Sequence, residues 1–541
     1  MDKTQLLAST KGMIDQLKNC LGEAGLSNGS SEYQIITETF LYKFLHDKFL
    51  HDLADKLGVP EGQSAEDLWL AMDEKGRRKA ELKLPDTAII RPEHMISSLY
   101  NRKTEEGFAA TLDQAMLDVA ADNADVFSVH AGDGTNIQLF SGISRHVTEV
   151  AKRDPLAESI IEALAGFSFE EAFAQKYDFF ADVFEYLISD YNKDSGEYGE
   201  YFTPHSIATI IARILVPEGD TNVTVYDPAS GTGTLLLAAA HQIGEQNCTI
   251  YSQDRSQKAN EFLRLNLILN NLVHSLPNAV QDDTLKSPGH TEADGSVRRF
   301  DYIVSNPPFK ADFSKTRDEL AGARYSDRFW AGVPNIPAGD AKKMAIYLMF
   351  LQHILVSLKP GGKAAFVVPT GFLTAKSKIE KRIRQRLVDR KMLRGAVSMP
   401  SNIFANTGTN VSVVFVDTSR EYDHALLMDA SKLGEQKKVE GTKNKRTYLR
   451  DFEMDRIVEA FNAREEADDF SVLASYEDIK KKNYSFSAGQ YFDVRIDYVD
   501  ITPEEFEEKL ARHVSSLESM FAEGEELQKS IVDQLKGLRY E

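Results

Sequence analysis

From about residue 220 onward, short β-branched and apolar runs alternate with longer stretches of helical apolar spacing, and no other feature of the chain constrains its fold as strongly. The runs fall at 223–226, 249–252, 279–281, 302–304, 364–368, 395–398 and 411–416. Strands that alternate with helices argue for an α/β fold built on a mainly parallel, doubly wound, Rossmann-like sheet. Ligands of such a sheet bind beyond the carboxyl ends of its strands. The last two runs are joined by a loop containing Asn406, Gly408 and Asn410, too short for a helical crossover, so the final strand is expected to be antiparallel.

The flanks read differently. Between residues 33 and 57 apolar residues recur at helical spacing (Ile36, Phe40, Phe44, Phe49, Leu53, Leu57) and stop at Gly58 with Pro60 beyond. Similar stretches follow, and the aromatics of 176–191 read as core packing. After Pro503 the chain is acidic and carries Leu510, Val514, Leu517, Phe521, Leu527, Ile531, Leu535 and Leu538, a stripe interrupted near Gly524 that predicts two helices, packed internally or against a partner. The expected organisation is a helical domain over 1–165, the sheet domain over 166–425, a connecting segment over 426–500 and C-terminal helices over 501–541.

Two cysteines, Cys20 and Cys248, lie far apart without neighbouring ligands, so neither a disulfide framework nor a metal site is expected. The N-terminus lacks an apolar signal core and no apolar run approaches bilayer length; a cytoplasmic protein with no membrane role is expected. The formal net charge of -20 has the wrong sign for a chain that must hold a polyanion unaided. Two basic runs stand against it, 376–394 with nine Lys or Arg against Glu380 and Asp389, and 437–450. Each reads equally as a phosphate-facing surface or as a solvated helix face or loop.

The strand ends carry the chemistry. Val223-Thr-Val-Tyr-Asp-Pro-Ala-Ser-Gly-Thr-Gly-Thr-Leu235 sets Asp227 and a glycine loop, Gly231, Thr232, Gly233 and Thr234, between a strand and a helix. The glycines allow a tight turn and close approach to a ligand, and an acid at the loop's mouth suits a cationic ammonium better than a phosphate. Asp254 ends the second strand, where an acid can hold ribose hydroxyls, and Asp283 follows the third, where it can accept from an adenine amine. The fourth run leads into Asn306-Pro-Pro-Phe309. An exocyclic base amine is a poor nucleophile because its lone pair is delocalised into the ring. The Asn306 side-chain oxygen and the Pro307 carbonyl can accept its two hydrogens, Pro307 and Pro308 stiffen the loop, and Phe309 offers a ring for a flipped base.

These residues resemble the amino-methyltransferase family, and more closely the modification subunits of type I restriction-modification systems. The resemblance begins at Gly196-Glu-Tyr-Gly-Glu-Tyr-Phe-Thr-Pro-His205, which is similar to that family's Phe-Thr-Pro motif. It implies that Glu200, Tyr201, Phe202, Thr203, Pro204 and His205 border an S-adenosyl-L-methionine site. It continues through Asp227 to Thr234, Asp254, Asp283 and Asn306 to Phe309, then through Lys359-Pro-Gly-Gly-Lys363 and Met399-Pro-Ser-Asn-Ile-Phe404. Thr234 departs from the pattern, since many relatives carry another glycine there. The implied function is transfer of a methyl group to adenine N6 in DNA without a metal. The implied partners are DNA, a separate specificity subunit bound by two copies of this chain, and, on the resemblance alone, an ATP-dependent restriction subunit. Alternatives of other kinds are a stand-alone adenine or cytosine N4 methyltransferase, a protein glutamine methyltransferase, and a catalytically silent scaffold of a defence complex.

Overall fold

In the computed structural model all residues are described except 1–2, 27–29, 61, 86, 128, 131–135, 138, 174–181, 184–185, 187–202, 218, 405–408, 420, 439–444, 493–501 and 538–541. The contacts divide the chain into two compact units, Met1–Tyr491 and Phe492–Glu541.

The first unit is built on a nine-stranded sheet. In chain order its strands are β1 (Val223–Asp227), β2 (Cys248–Asp254), β3 (Ala279–Gln281), β4 (Phe300–Ser305), β5 (Leu358–Pro369), β6 (Leu393–Ser398), β7 (Val411–Asp417), β8 (His424–Asp429) and β9 (Ser471–Ser475). Across the sheet they run β9-β8-β6-β7-β5-β4-β1-β2-β3. The five strands β3, β2, β1, β4 and β5 are mutually parallel. β7 lies antiparallel between β5 and β6, as the short connection requires. The chain moves outward from β1 to β3 and then returns to the other side of β1 as β4. That reversal opens a crevice beyond the ends of β1 and β4, where Asp227 and Asn306 stand on neighbouring strands.

Residues 426–500, read from sequence as a connecting segment, supply part of the sheet. β8 pairs parallel with β6, and β9 pairs antiparallel with β8 through Leu427↔Val472. A helix, Asp451–Ala463, buries Ile457 and Phe461 between them in sequence. The alternation was illegible there because the intervening hairpin is polar and the strands are short.

Helices flank the sheet. His205–Leu215 buries a face of Ile207, Ile210, Ile211 and Ile214, and Thr234–Ile243 is apolar nearly all round, as a helix enclosed by others must be. The N-terminal region is helical as expected, with Lys3–Glu23, Ser30–Leu57, Phe108–Asp122 and Arg153–Ala165 its longest elements. Its core is continuous with that of the sheet through residues such as Phe40, Phe49, Trp69 and Leu267. A two-residue ribbon, Val129–His130 with Asn136–Ile137, was not anticipated.

Among the described residues the second unit contains a single helix, Pro503–Gly537, and not two. Gly524 falls on the apolar stripe itself, three residues after Phe521 and three before Leu527. The stripe therefore continues in phase through it, and one interior glycine costs only about 1 kcal/mol, too little to break a helix of this length.

Candidate active site

One cavity lies at the carboxyl ends of β1, β2 and β4. Its walls include Thr203, Asp227, Ser230, Gly231, Thr234, Asp254, Asp283, Asn306 and Pro308. Residues that the sequence spreads over more than a hundred positions thus share one space. The remaining candidates lie elsewhere. Glu200, Tyr201 and Phe202 fall outside the described residues. Pro204 caps the helix that His205 opens, its carbonyl accepting from the Ile207 and Ala208 amides. Thr232, Gly233 and Pro307 are buried and are not among the residues lining the cavity. Phe309 is half-buried with its ring edge-on to Tyr347, centroids 6.4 Å apart.

The glycine loop is held by the second strand. Gly231 N–H donates to Asp254 Oδ2 at 2.9 Å, and Ser256 N–H donates to Asp254 Oδ1 at 2.8 Å. Asp254 therefore shapes the loop as well as facing the cavity, a role the sequence did not suggest. Gly231 and Gly233 both have positive φ, 52° and 86°. At Gly233 a Cβ would lie 2.3 Å from Leu263 Cδ1, so this turn demands glycine on both counts. The Thr232 carbonyl accepts from Asn266 Nδ2 at 2.8 Å, which ties the loop to helix Gln257–Leu269.

Asp227 is buried and accepts from the Ala229 amide at 2.9 Å and from Ser305 Oγ at 2.8 Å. Burial, with a smaller push from Asp254, raises its pKa to about 7 against the pull of those two donors. Burial likewise raises Asp254, against the Ser256 and Gly231 amides and Arg255. Two carboxylates held close in a desolvated wall favour a positively charged guest. Ser230 Oγ is buried on the same wall without a protein partner, as a polar ligand's own contact would leave it. Acids, glycine backbone and an orphaned hydroxyl fit a ligand that carries both an ammonium and a nucleoside.

The catalytic-loop candidates are joined to the cofactor candidates by two side-chain bonds. Ser305 reaches Asp227 from the residue just before Asn306, and Asn306 Nδ2 donates to Thr203 Oγ1 at 3.2 Å. With the amide nitrogen occupied there, Asn306 Oδ1 is left as the acceptor. Ser305 was missed in sequence although it precedes the motif by one residue. Arg255, Lys310, Ile346 and Phe350 also line the cavity. Arg255 and Lys310 adjoin motif residues and could have been suspected, whereas Ile346 and Phe350 arrive on a distant helix with no local signal.

Sheet order, acids at successive strand ends and the Asn306–Phe309 loop on one cavity are the arrangement of a doubly wound methyltransferase. The family model of the N-6 DNA methylases matches residues 175–497, and the chain belongs to that family, whose members are adenine-specific DNA methyltransferases. It is 27% identical over 467 residues to the methylase subunit of the type I restriction enzyme MpnII of Mycoplasma pneumoniae, covering 83% of this chain and 80% of that one. Over 381 residues it is also 27% identical to the methylase subunit of the type I restriction enzyme HindI of Haemophilus influenzae, covering 67% and 79%. Its fold matches the crystal structure of a type I restriction-modification methyltransferase subunit from Streptococcus thermophilus, with a TM-score of 0.71 at 23% identity, covering 91% of this chain and all of that one.

Proposed function

We propose that this chain is the modification subunit of a type I restriction-modification system and methylates adenine N6 in DNA from S-adenosyl-L-methionine. The observation that carries this reading is the pairing of Asn306 Nδ2 with Thr203, which leaves the amide oxygen as acceptor on the cavity that Asp227, Asp254 and Asp283 also line. When bound, S-adenosyl-L-methionine supplies an electrophilic methyl group on a sulfonium centre.

The chain's own residues do the rest. Asp227 holds the ammonium, Asp254 the ribose hydroxyls and Asp283 the adenine amine of the cofactor, while Gly231 and Gly233 let the backbone approach and Thr203 and Thr234 border it. Asn306 Oδ1 and the Pro307 carbonyl accept the two hydrogens of the target amine. Both acceptors draw the nitrogen from planar toward tetrahedral geometry, which frees its lone pair for attack. The target base leaves the duplex at a cost of about a few kcal/mol and stacks on Phe309, whose ring Tyr347 supports from its edge.

The acidic chain leaves sequence reading to a specificity subunit that two copies flank, with a restriction subunit joining the complex. Support for a docking arm comes from Pro503–Gly537, where Leu510, Leu517, Phe521, Leu527 and Ile531 are each at least half exposed. An apolar stripe open to solvent along one helix is the pattern a partner helix covers.

The test is labelled methyl incorporation into duplex adenine by the chain with its recognition subunit. Asn306→Ala should lower turnover by two orders of magnitude or more, the usual scale for removing one preorganised transition-state contact, while cofactor binding persists. Undiminished turnover would reject the assignment.

A further inference from the structure

The two basic runs meet opposite fates. In helix Lys378–Asp389 the arginines serve the fold. Arg384 is fully buried and donates to the carbonyls of Tyr484, Phe372 and Ala375, and Arg386 lies over the Trp330 ring at 4.2 Å. Arg382 donates to the Ala331 carbonyl at 3.2 Å, and beyond the helix Arg394 donates to the Ile214 carbonyl at 2.7 Å. This run is no phosphate-facing surface across its length.

The second run does the reverse. Between residues 437 and 450 six Lys or Arg stand against one Glu, in a chain whose net charge is -20. Glu435–Lys438 pairs antiparallel with Lys445–Tyr448, which sets Lys437 directly opposite Arg446 and Lys438 directly opposite Lys445. Like charges directly across a ladder destabilise it. Residues 435–438 are exposed along their whole length, and the ion pair seen among them is Lys437 with Glu435 at 3.4 Å, open to solvent. Arg446 lies over the Tyr448 ring. The hairpin thus sets four cations in two facing like-charged pairs, with Lys438 and Lys445 exposed.

Its base is nevertheless firmly placed. Thr447 is buried, its amide donating to the Asn402 carbonyl at 2.9 Å and its hydroxyl to the Ser401 carbonyl at 2.6 Å. Gly434 N–H donates to Glu453 at 3.0 Å. The 399–404 loop that receives Thr447 follows the carboxyl end of β6. Ser398 and Val368 both stand level with Ser412 of β7, and Phe366 stands level with Ser305. The hairpin is therefore anchored on the sheet edge that carries Asn306, three strands away, or about 15 Å at ~4.8 Å per strand. Duplex DNA presents roughly nine phosphates in that distance.

We propose that this hairpin is a phosphate clamp, in which Lys437, Lys438, Lys445 and Arg446 bind the DNA backbone beside the base offered to Asn306. The inference rests on the reading of the chain as a DNA methyltransferase and names the surface that offsets its acidic charge. Backbone contacts of this kind fix the position of the duplex and carry no sequence information, so they suit a chain whose recognition lies in a partner.

The test is equilibrium binding of a labelled duplex by the full chain across 50 to 200 mM KCl. The variant Lys437→Gln, Lys438→Gln, Lys445→Gln should bind about tenfold or more weakly, equally on unrelated duplex sequences, and the slope of log affinity on log salt should fall by roughly 2 to 3, at about 0.9 per lost contact. Its melting temperature should stay level or rise, because the facing like charges are relieved; should it fall, the single change Lys438→Gln, expected to lower the slope by about 0.9, takes its place. A wild-type slope in a folded variant overturns the clamp. So does normal DNA binding combined with lost co-purification of a recognition subunit, which would make the hairpin a protein contact. Wild-type protein that shows the salt-dependent hairpin effect yet transfers no methyl to adenine would sink the catalytic reading and leave the clamp standing.

Discussion

Asp227 concentrates the residue-scale physics of this protein. It is an acid sealed at a strand end, with two donors on one carboxylate oxygen and Asp254 nearby. Its folded pKa of about 7 lies above its ordinary value of 3.8. Between roughly pH 4 and pH 7 the folded chain thus keeps a proton that the unfolded chain has released. Stability falls as pH rises through that window, and the whole cost is present above pH 7. Asp227→Asn keeps an acceptor for the Ala229 amide and Ser305 and removes the charge. Thermal melts of the ligand-free protein should show a larger gain for Asp227→Asn at pH 8 than at pH 5; equal shifts would mean that the carboxyl is ionised throughout. A cation beside this carboxylate favours its ionised form, so cofactor affinity of the wild-type chain should rise from pH 6 to pH 8, with a proton released that calorimetry in two buffers detects.

At the scale of elements, identical residue types do different work according to the surface they meet. The helix Lys378–Asp389 carries a run of cations that reads as a solvated face, yet its burial pattern takes Ile383, Arg384, Leu387 and Val388 inward. Arg384→Ala would strip the donor from the buried Phe372 carbonyl and from the half-buried Ala375 and Tyr484 carbonyls, a buried one being worth about 1 to 3 kcal/mol when left unsatisfied, and would leave a cavity where the guanidinium packs on Phe372. It should lower stability by about 3 kcal/mol or more in denaturant unfolding, while Lys378→Gln, exposed at the start of the same helix, should change it by less than about 0.5 kcal/mol. Similar losses from both would return the arginine to solvent. The glycine loop is the opposite case, since Gly231 and Gly233 were recognisable from spacing alone and the positive φ at each is a purely local demand.

At the scale of the whole molecule, two units divide the labour: one holds the sheet and its cavity, and the other presents a helix about 50 Å long with its apolar stripe exposed. Ending the chain at Tyr491 should abolish co-purification with a specificity subunit and methylation by the complex, and leave cofactor binding intact because no cavity residue among the described residues lies beyond that point. Persisting assembly would assign the stripe another role. No helix among the described residues is long and apolar enough to cross a membrane.

The alternation of strands and helices, the antiparallel β7, the glycine turn and the acids at three successive strand ends were all legible in the residues alone. All of these are written in local periodicity or in a backbone conformation that a few adjacent residues enforce. Folding in three dimensions added that β8 and β9 extend the sheet, that Gly524 leaves one helix unbroken, and that Asp254 braces the loop it was expected only to face. It also decided that the first basic run turns Arg384 into the core while the second stands exposed along residues 435–438. Pairing partners, burial and the desolvation that moves Asp227 are set by chain segments far apart in sequence, and no local pattern carries that information.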